Sequence, residues 1–317
     1  MTMPVHVVHG RQEGPTLFVS AAIHGDEILG VEIVRRLIKH KVLSRLRGSL
    51  LAVPVVNVFG FIQHNRYLPD RRDLNRFFPG SESGSLASRL ASIFMNEIAA
   101  NSTHGVDLHT GSDHRTNLPQ IRASLDDPDT RELAFAFGAP VIIDANVRDG
   151  SLRQAVMEKN IPMLLFEAGE ALRFDETAVR IGVHGILSSM QKIGMLPNSA
   201  KLPKTRKITP LVANSTSWLR AVKSGILRLK VSLGDHVAKN AVIGVIADPF
   251  GENEEALVSS ESGIVIGRLD RPLVHAGDAV LHMACLDKAV DVENTLKSFH
   301  EGTEQIEAHD YENKAFI

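Results

Sequence analysis

The chain has one cysteine, few tyrosines and no long apolar run. Cys285 is the only cysteine among 317 residues. That excludes an intramolecular disulfide framework and any metal site built on several thiolates, and it fits a reducing compartment. No stretch approaches the roughly 18 consecutive apolar residues of a membrane-spanning helix, so no membrane partner is expected. Met1 to Gly10 carries histidines and no apolar segment flanked by basic residues, so a secretion signal is not expected and the expected location is the cytoplasm. The net charge of −2 lacks the basic excess of a nucleic-acid binder, so no nucleic acid is expected either. What is present is ordinary for a soluble globular protein, with 44% hydrophobic and 23% charged residues. The length suffices for a large core and for two domains.

One stretch organises the rest: Ala21-Ala22-Ile23-His24-Gly25-Asp26-Glu27. The apolar run before it reads as a buried strand over 16–23. The run after it, with Ile28, Val31, Ile33, Val34, Leu37 and Ile38, has helical period over 27–40. A chain turning from strand into helix can aim His24 and Glu27 at one point, with Gly25 leaving room for the turn. An imidazole nitrogen and a carboxylate oxygen suit zinc. The plainer reading is that Glu27 sits at the helix N-terminus, where a carboxylate is favoured.

Downstream, Leu50 to Val56 reads as a second buried strand, followed by an arginine-rich loop from Asn65 to Gly80. Within it, Asp73-Leu74-Asn75-Arg76 lies where ligands bind in open α/β sheets, and an arginine fork there suits a substrate carboxylate. A solvated charged face is the alternative. A helix over 85–100 precedes Gly105-Val106-Asp107-Leu108-His109-Thr110-Gly111, a short strand that delivers Asp107 and His109 to its end. Residues i and i+2 share a strand face, so Asp107 either orients His109 or faces elsewhere. With His24 and Glu27, His109 completes three protein ligands, the pattern of a catalytic zinc with a position left for water. An extended segment over 119–124, a helix over 129–138, a strand over 140–145 and a helix over 151–160 follow. Ile161 to Phe166 then runs straight into Glu167, the candidate general base, because an acid closing a buried strand is costly unless paired or functional. Glu170 is the rival, with a helix cap over 175–194 as its other reading.

From about Leu196, prolines and lysines read as a linker to a second unit. Its pattern repeats: Ser224-Gly225-Ile226 then Gly234-Asp235-His236-Val237, and Ser262-Gly263-Ile264 then Gly277-Asp278-Ala279-Val280. Two like halves of short strands with Gly-Asp turns are expected. The acidic residues over 291–317 suggest a terminal helix or tail.

Taken together, His24-Gly25-Asp26-Glu27, Asp73-Leu74-Asn75-Arg76, Asp107-Leu108-His109-Thr110-Gly111 and Glu167-Ala168-Gly169 resemble, in order, the succinylglutamate desuccinylase/aspartoacylase family of the zinc carboxypeptidase-like clan. The resemblance covers nearly the whole chain. It implies an α/β fold: an α/β/α sandwich with a mixed sheet over 1–200 and a small β domain over 201–290, similar to a biotinyl/lipoyl-type barrel sandwich. Asp248 to Glu252, between the repeat halves, has no lysine, so no lipoylation or biotinylation is expected. That domain would cover the active-site mouth or make subunit contacts, which admits a homo-oligomer.

The family pattern further implies one zinc ion per chain held by His24, Glu27 and His109, and Glu167 moving the proton. It implies Arg66 on the scissile carbonyl and Asn75 and Arg76 on a substrate carboxylate. Arg122 is a further candidate substrate contact. Arg71 and Arg72 lengthen the loop after Arg66 and are its fallbacks, and neither Tyr67 nor Tyr311 can be assigned to the pocket. The expected activity is zinc-dependent hydrolysis of an N-acylated amino acid or a similar small amine. The rivals are a carboxypeptidase on short peptides and a non-catalytic module that binds an acidic metabolite. Three N/O ligands also accept cobalt or manganese.

Overall fold

The computed structural model describes residues 2–200, 202 and 209–285, with 301, 304 and 306 beyond them. Part of the expected linker and most of the expected acidic tail lie outside the described residues. The first part carries strands β1 (His6–His9), β2 (Gln12–Ala21), β3 (Arg47–Val53), β4 (His104–Gly111), β5 (Arg115–Ala123), β6 (Val141–Asp144) and β7 (Met163–Glu170). Between and after them lie helices α1 (Leu29–Lys39), α2 (Val58–Ile62), α3 (Leu86–Glu97), α4 (Pro128–Phe137), α5 (Leu152–Met157) and α6 (Glu176–Lys192). The helices expected before residue 195 are present, slightly shortened except α4, which is shifted by one residue. Ser85, Ser151 and Asp175 cap α3, α5 and α6, each accepting from the backbone N–H three residues on.

Strands β3, β2, β4 and β7 are parallel neighbours, and β5 joins β7 antiparallel. Apolar side chains on both faces of β2 explain its continuous run. Leu17, Val19 and Ala21 enter a core with Leu29, Ile33 and Leu37 of α1 and Val179 and Val183 of α6. Phe18, between them, enters the opposite core with Phe94 of α3 and Leu152 and Val156 of α5. Helices thus cover both faces of the sheet.

The second part consists of β8 (Leu211–Ala213), β9 (Ser215–Arg220), β10 (Gly225–Leu229), β11 (His236–Val237), β12 (Val242–Ala247), β13 (Glu255–Val258), β14 (Gly263–Leu269), β15 (Leu273–Val274) and β16 (Ala279–Cys285). The sequence repeat is a structural repeat. Gly234 and Gly277 both have φ of +89°, and Asp235 and Asp278 each accept from the backbone N–H three residues earlier. The halves interlock: β11 of the first pairs with β14 of the second, and β15 of the second with β10 of the first.

The two parts share one twelve-stranded sheet. Strand β5 is the joint. Its residues 115–117 pair with β14, and its residues 120–123 pair with β6. This carries β14, β16 and β9 to the side of the sheet where β4 and β7 end.

Candidate metal centre and its pocket

His24 and Glu27 follow β2 in a turn whose left-handed residue is Ala22, at φ 49°. Gly25 serves a different need from the turn. A Cβ there would lie 2.0 Å from the carbonyl carbon of Gly60 and 2.2 Å from the nitrogen of Phe61, so α2 packs directly on its backbone. His109 comes from the end of β4. All three side chains are buried. Glu27 Oε1 lies 2.7 Å from His24 Nδ1 and accepts from Arg66 Nη1 at 3.1 Å. Its Oε2 lies 2.8 Å from His109 Nδ1 and accepts from the backbone N–H of Thr110 at 3.2 Å. The carboxylate is therefore turned to the two rings. None of these partners belongs to α1, which begins at Leu29 without a side-chain cap, so the helix terminus does not account for the placement of the Glu27 carboxylate.

The outer face of each ring meets another acid. His24 Nε2 is 3.2 Å from Asp73 Oδ1, and His109 Nε2 is 2.8 Å from Asp107 Oδ2. Asp107 in turn accepts from the Ser20 hydroxyl at 2.7 Å. Of the two readings of Asp107, orientation of His109 is the one observed. Burial disfavours charge on His24, Glu27, Asp73 and His109, but the attraction of their neighbours outweighs it. Glu27 is held well below the usual carboxylate range by His24 and His109. His24 is raised by Glu27 and Asp73, and His109 is raised further by Asp107 and Glu27.

The donor set can be tested against a metal. A carboxylate that takes the Nε2–H leaves the Nδ1 lone pair as the inward group. Two inward Nδ1 atoms and the Glu27 carboxylate, with ligand atoms within 4.8 Å of one another, need a positive species between them: protons or one divalent cation. The N/O set and the outer carboxylates fit a zinc-type ion.

A cavity of about 380 Å³ opens over the cluster. Glu167 lines it, and the register explains why: His109 on β4 and Glu167 on β7 are direct partners across the parallel pair. Glu167 Oε2 accepts from Asn117 Nδ2 at 3.1 Å and lies 3.2 Å from Arg122 Nε, both on β5. Arg66 bridges Glu27 and, through Nη2, Asp73 Oδ2 at 3.1 Å. Asn75 Oδ1 accepts from the backbone N–H of Leu152 at 2.8 Å, which locks its amide at the start of α5. Arg76 also lines the cavity.

Residues 13–193 match the family model described as the succinylglutamate desuccinylase/aspartoacylase catalytic domain. The chain belongs to this family. A curated relative, the N-alpha-acetyl-L-2,4-diaminobutyric acid deacetylase of Halomonas elongata, is 26% identical over 292 residues, spanning 89% of this chain and 85% of the relative. A crystal structure of a succinylglutamate desuccinylase/aspartoacylase from Rhodobacter sphaeroides superposes with a TM-score of 0.80 at 25% identity, covering 90% of this chain and 89% of that one. The product-bound ectoine utilization protein EutE (DoeB) of Ruegeria pomeroyi has the same fold, with a TM-score of 0.79 at 23% identity over 89% of each chain. The family fold thus extends past residue 193 into the C-terminal β unit.

Within this family frame, several sequence expectations need correction. Glu170 does not cap α6. It pairs with Arg173 at 2.9 Å, and Asp175 is the cap. Arg71 and Arg72 are exposed and do not line the cavity. Arg72 pairs with Asp70 at 3.5 Å and lies over the Phe77 ring, so neither replaces Arg66. Tyr67 is exposed outside this cavity, and Tyr311 lies outside the described residues. Sequence reasoning missed Asn117 beside Glu167, Asp73 behind His24, and Arg115, Arg148 and Arg153 on the cavity wall. It also missed Trp218 and His282, which reach the same cavity from β9 and β16. No local motif marks these two. Only the β5–β14 pairing brings them in.

Proposed function

We propose that this chain is a zinc-dependent hydrolase that cleaves the amide bond of an N-acyl amino acid or related small N-acyl amine in the cytoplasm. The observation that carries the reading is one small pocket holding three things together. These are the His24–Glu27–His109 cluster, the Glu167 carboxylate one strand away, and arginines suited to carboxylates. The deacetylase relative, similar along most of its length, supports the same class. The cavity volume suits a small molecule.

Zinc held by His24, Glu27 and His109 would supply Lewis acidity and lower the pKa of a bound water to about 7. The remaining chemistry belongs to this chain's side chains. Glu167 takes the proton of the attacking water and returns it to the leaving nitrogen. Asn117 and Arg122 fix its carboxylate for both transfers. Arg66, tethered to Glu27 and Asp73, offers its guanidinium to the carbonyl oxygen as negative charge develops there. Arg76 and the amide nitrogen of Asn75 hold a substrate carboxylate, with Asn75 kept in orientation by its bond to α5. All these residues belong to the catalytic domain, 1–200. The β unit over 201–290 is read as a barrel sandwich that walls the pocket and is not a carrier of a modified lysine.

The test is hydrolysis of N-succinyl, N-acetyl and N-formyl amino acids, with metal content measured on the same preparation. Near-stoichiometric zinc, with amine release that vanishes in Glu167→Gln, supports the reading. A chain that takes up no metal overturns the mechanism.

A further inference from the structure

A second cavity, of about 460 Å³, adjoins the first. Arg66, Ser112 and Arg115 line both cavities and stand where the two meet. Two residues on the second cavity each carry a buried polar atom with no hydrogen-bond partner among the described residues. These atoms are Asp26 Oδ1 and Arg115 Nε. Asp26 is 7% exposed. Its backbone carbonyl accepts from the N–H groups of Ile28 and Leu172 at 3.0 and 2.8 Å, which fixes the base of the side chain. Arg115 is held at its far end: Nη1 donates to the Ser112 hydroxyl at 3.2 Å, and the guanidinium lies 5.8 Å from the centre of the Trp218 ring. A carboxylate only accepts and a guanidinium only donates, so the two unmatched atoms are complementary.

The other charged groups of this cavity are engaged. Arg66 donates to Glu27 and Asp73, and Arg271 lies 3.8 Å from Asp278. Asp113 is largely exposed, 3.4 Å from His114. The backbone around the cavity is strained. His64, His114 and Leu172 all line it, and all have left-handed φ, of 52°, 60° and 57°. That conformation is costly for a side chain such as leucine, and it persists where the surrounding structure enforces it, often at ligand sites.

On the hydrolase reading above, which this inference rests on, the place of the second cavity follows by elimination. Glu167 serves the leaving nitrogen, and Asn75 and Arg76 serve the carboxylate of the amine part. All three line the first cavity and not the second. Arg66, which serves the carbonyl oxygen, lines both. The amine part of the substrate thus stays in the first cavity, and the second is left to the acyl part. We propose that the second cavity is an acyl-group subsite that reads a neutral amide, whose N–H donates to Asp26 Oδ1 and whose carbonyl accepts from Arg115 Nε. The preferred acyl group is longer than acetyl and carries a carboxamide or acylamino group beyond the scissile carbonyl. A free carboxylate in the same place would meet Asp26 as a like charge and be rejected.

The experiment uses the zinc-loaded full chain and four substrates that differ only in the acyl group: N-succinamoyl-, N-levulinoyl-, N-succinyl- and N-acetyl-alanine. Levulinoyl replaces the amide NH2 by a methyl group, and succinyl replaces it by a charged oxygen. The expected result is about 100-fold or more in kcat/KM for succinamoyl over levulinoyl, since a site built for a polar group rejects the isostere that lacks it. Succinyl should also fall below succinamoyl. Ratios taken on one preparation cancel any loss of zinc or of folded protein. Asp26→Leu should collapse the succinamoyl-to-levulinoyl ratio toward one, and Asp26→Asn, whose amide oxygen still accepts, should restore part of it. Arg115→Met should lower succinamoyl relative to acetyl by about tenfold, the loss of one hydrogen bond from a charged donor. A wild-type ratio near one, or a preference for succinyl, overturns the subsite and leaves the hydrolase reading standing. Absence of turnover on all four instead counts against the hydrolase. The subsite is then decided by calorimetry with succinamate and levulinate, the acids of the first pair. Succinamate should bind about tenfold more tightly, and equal affinities overturn the proposal.

Discussion

His109 and Glu167 are direct neighbours across the parallel strands β4 and β7. An imidazole that faces Glu27 and a carboxylate held by Asn117 and Arg122 therefore leave the sheet side by side. The proposed ligand and the proposed proton carrier are kept at fixed separation by backbone hydrogen bonds, with no loop between them.

Replacing Glu167 by Gln removes the proton acceptor and keeps the shape. Turnover should fall by about 10²–10⁴, while zinc content stays as in the wild type. Steady-state kinetics and elemental analysis on one sample check this. Loss of metal along with activity would mean that Glu167 belongs to the ligand set.

Asp107→Asn and Asp73→Asn should each weaken zinc binding by about 10–100-fold. The effect should be larger at Asp107, which meets His109 at 2.8 Å, than at Asp73, which meets His24 at 3.2 Å. Competition with a chelator measures both affinities.

Arg66→Met should lower kcat by about 10²–10³ if its guanidinium stabilises the developing oxyanion. A change in KM alone would assign Arg66 to ground-state binding.

Arg36 ties α1 to α6, bonding Glu32 at 2.6 Å and Glu176 at 2.7 Å. Hydrogen bonds from Arg35 and Arg36 hold Glu32 below its ordinary range, and those from Arg36 and Arg180 do the same for Glu176. Both carboxylates lose protons more easily when folded. Their contribution is therefore present above the unfolded Glu pKa of about 4.3 and disappears as pH falls through the lowered folded values. Arg36→Met should cost about 1 kcal/mol at pH 7, a partly exposed pair at its upper range, and less at about pH 4, just below the unfolded Glu value. Urea unfolding at the two pH values tests it.

Gly25→Ala would drive a methyl group into the backbone of Gly60 and Phe61. A destabilisation of about 3 kcal/mol is expected, at the upper end for overpacking because backbone cannot step aside. Displacement of His24 and Glu27 should also reduce zinc binding. Stability near the wild type would show that α2 can move.

Much of the centre was legible because its spacings are short. His24 and Glu27 lie three residues apart at a strand end, and Asp107 and His109 share a strand face two apart. The buried strand before Glu167 made its carboxylate conspicuous. Asn75 was legible as a loop residue. Its bond to the start of α5 was not, since that contact spans 77 positions.

The sequence by itself determined the apolar strands, the helices and several of their caps, the repeat with its Gly-Asp turns, and the residues that meet in the His24–Glu27–His109 cluster. Local periodicity and backbone geometry act over a few residues, so a few residues suffice to read them. Only the tertiary structure decided that Asp73 stands behind His24, that Asn117 and Arg122 hold Glu167, and that Trp218 and His282 close the pocket. Those contacts follow from strand register, above all the pairing of β5 with β14 across about 150 residues of chain. Register is fixed by the packing of whole faces, which no short stretch of sequence contains.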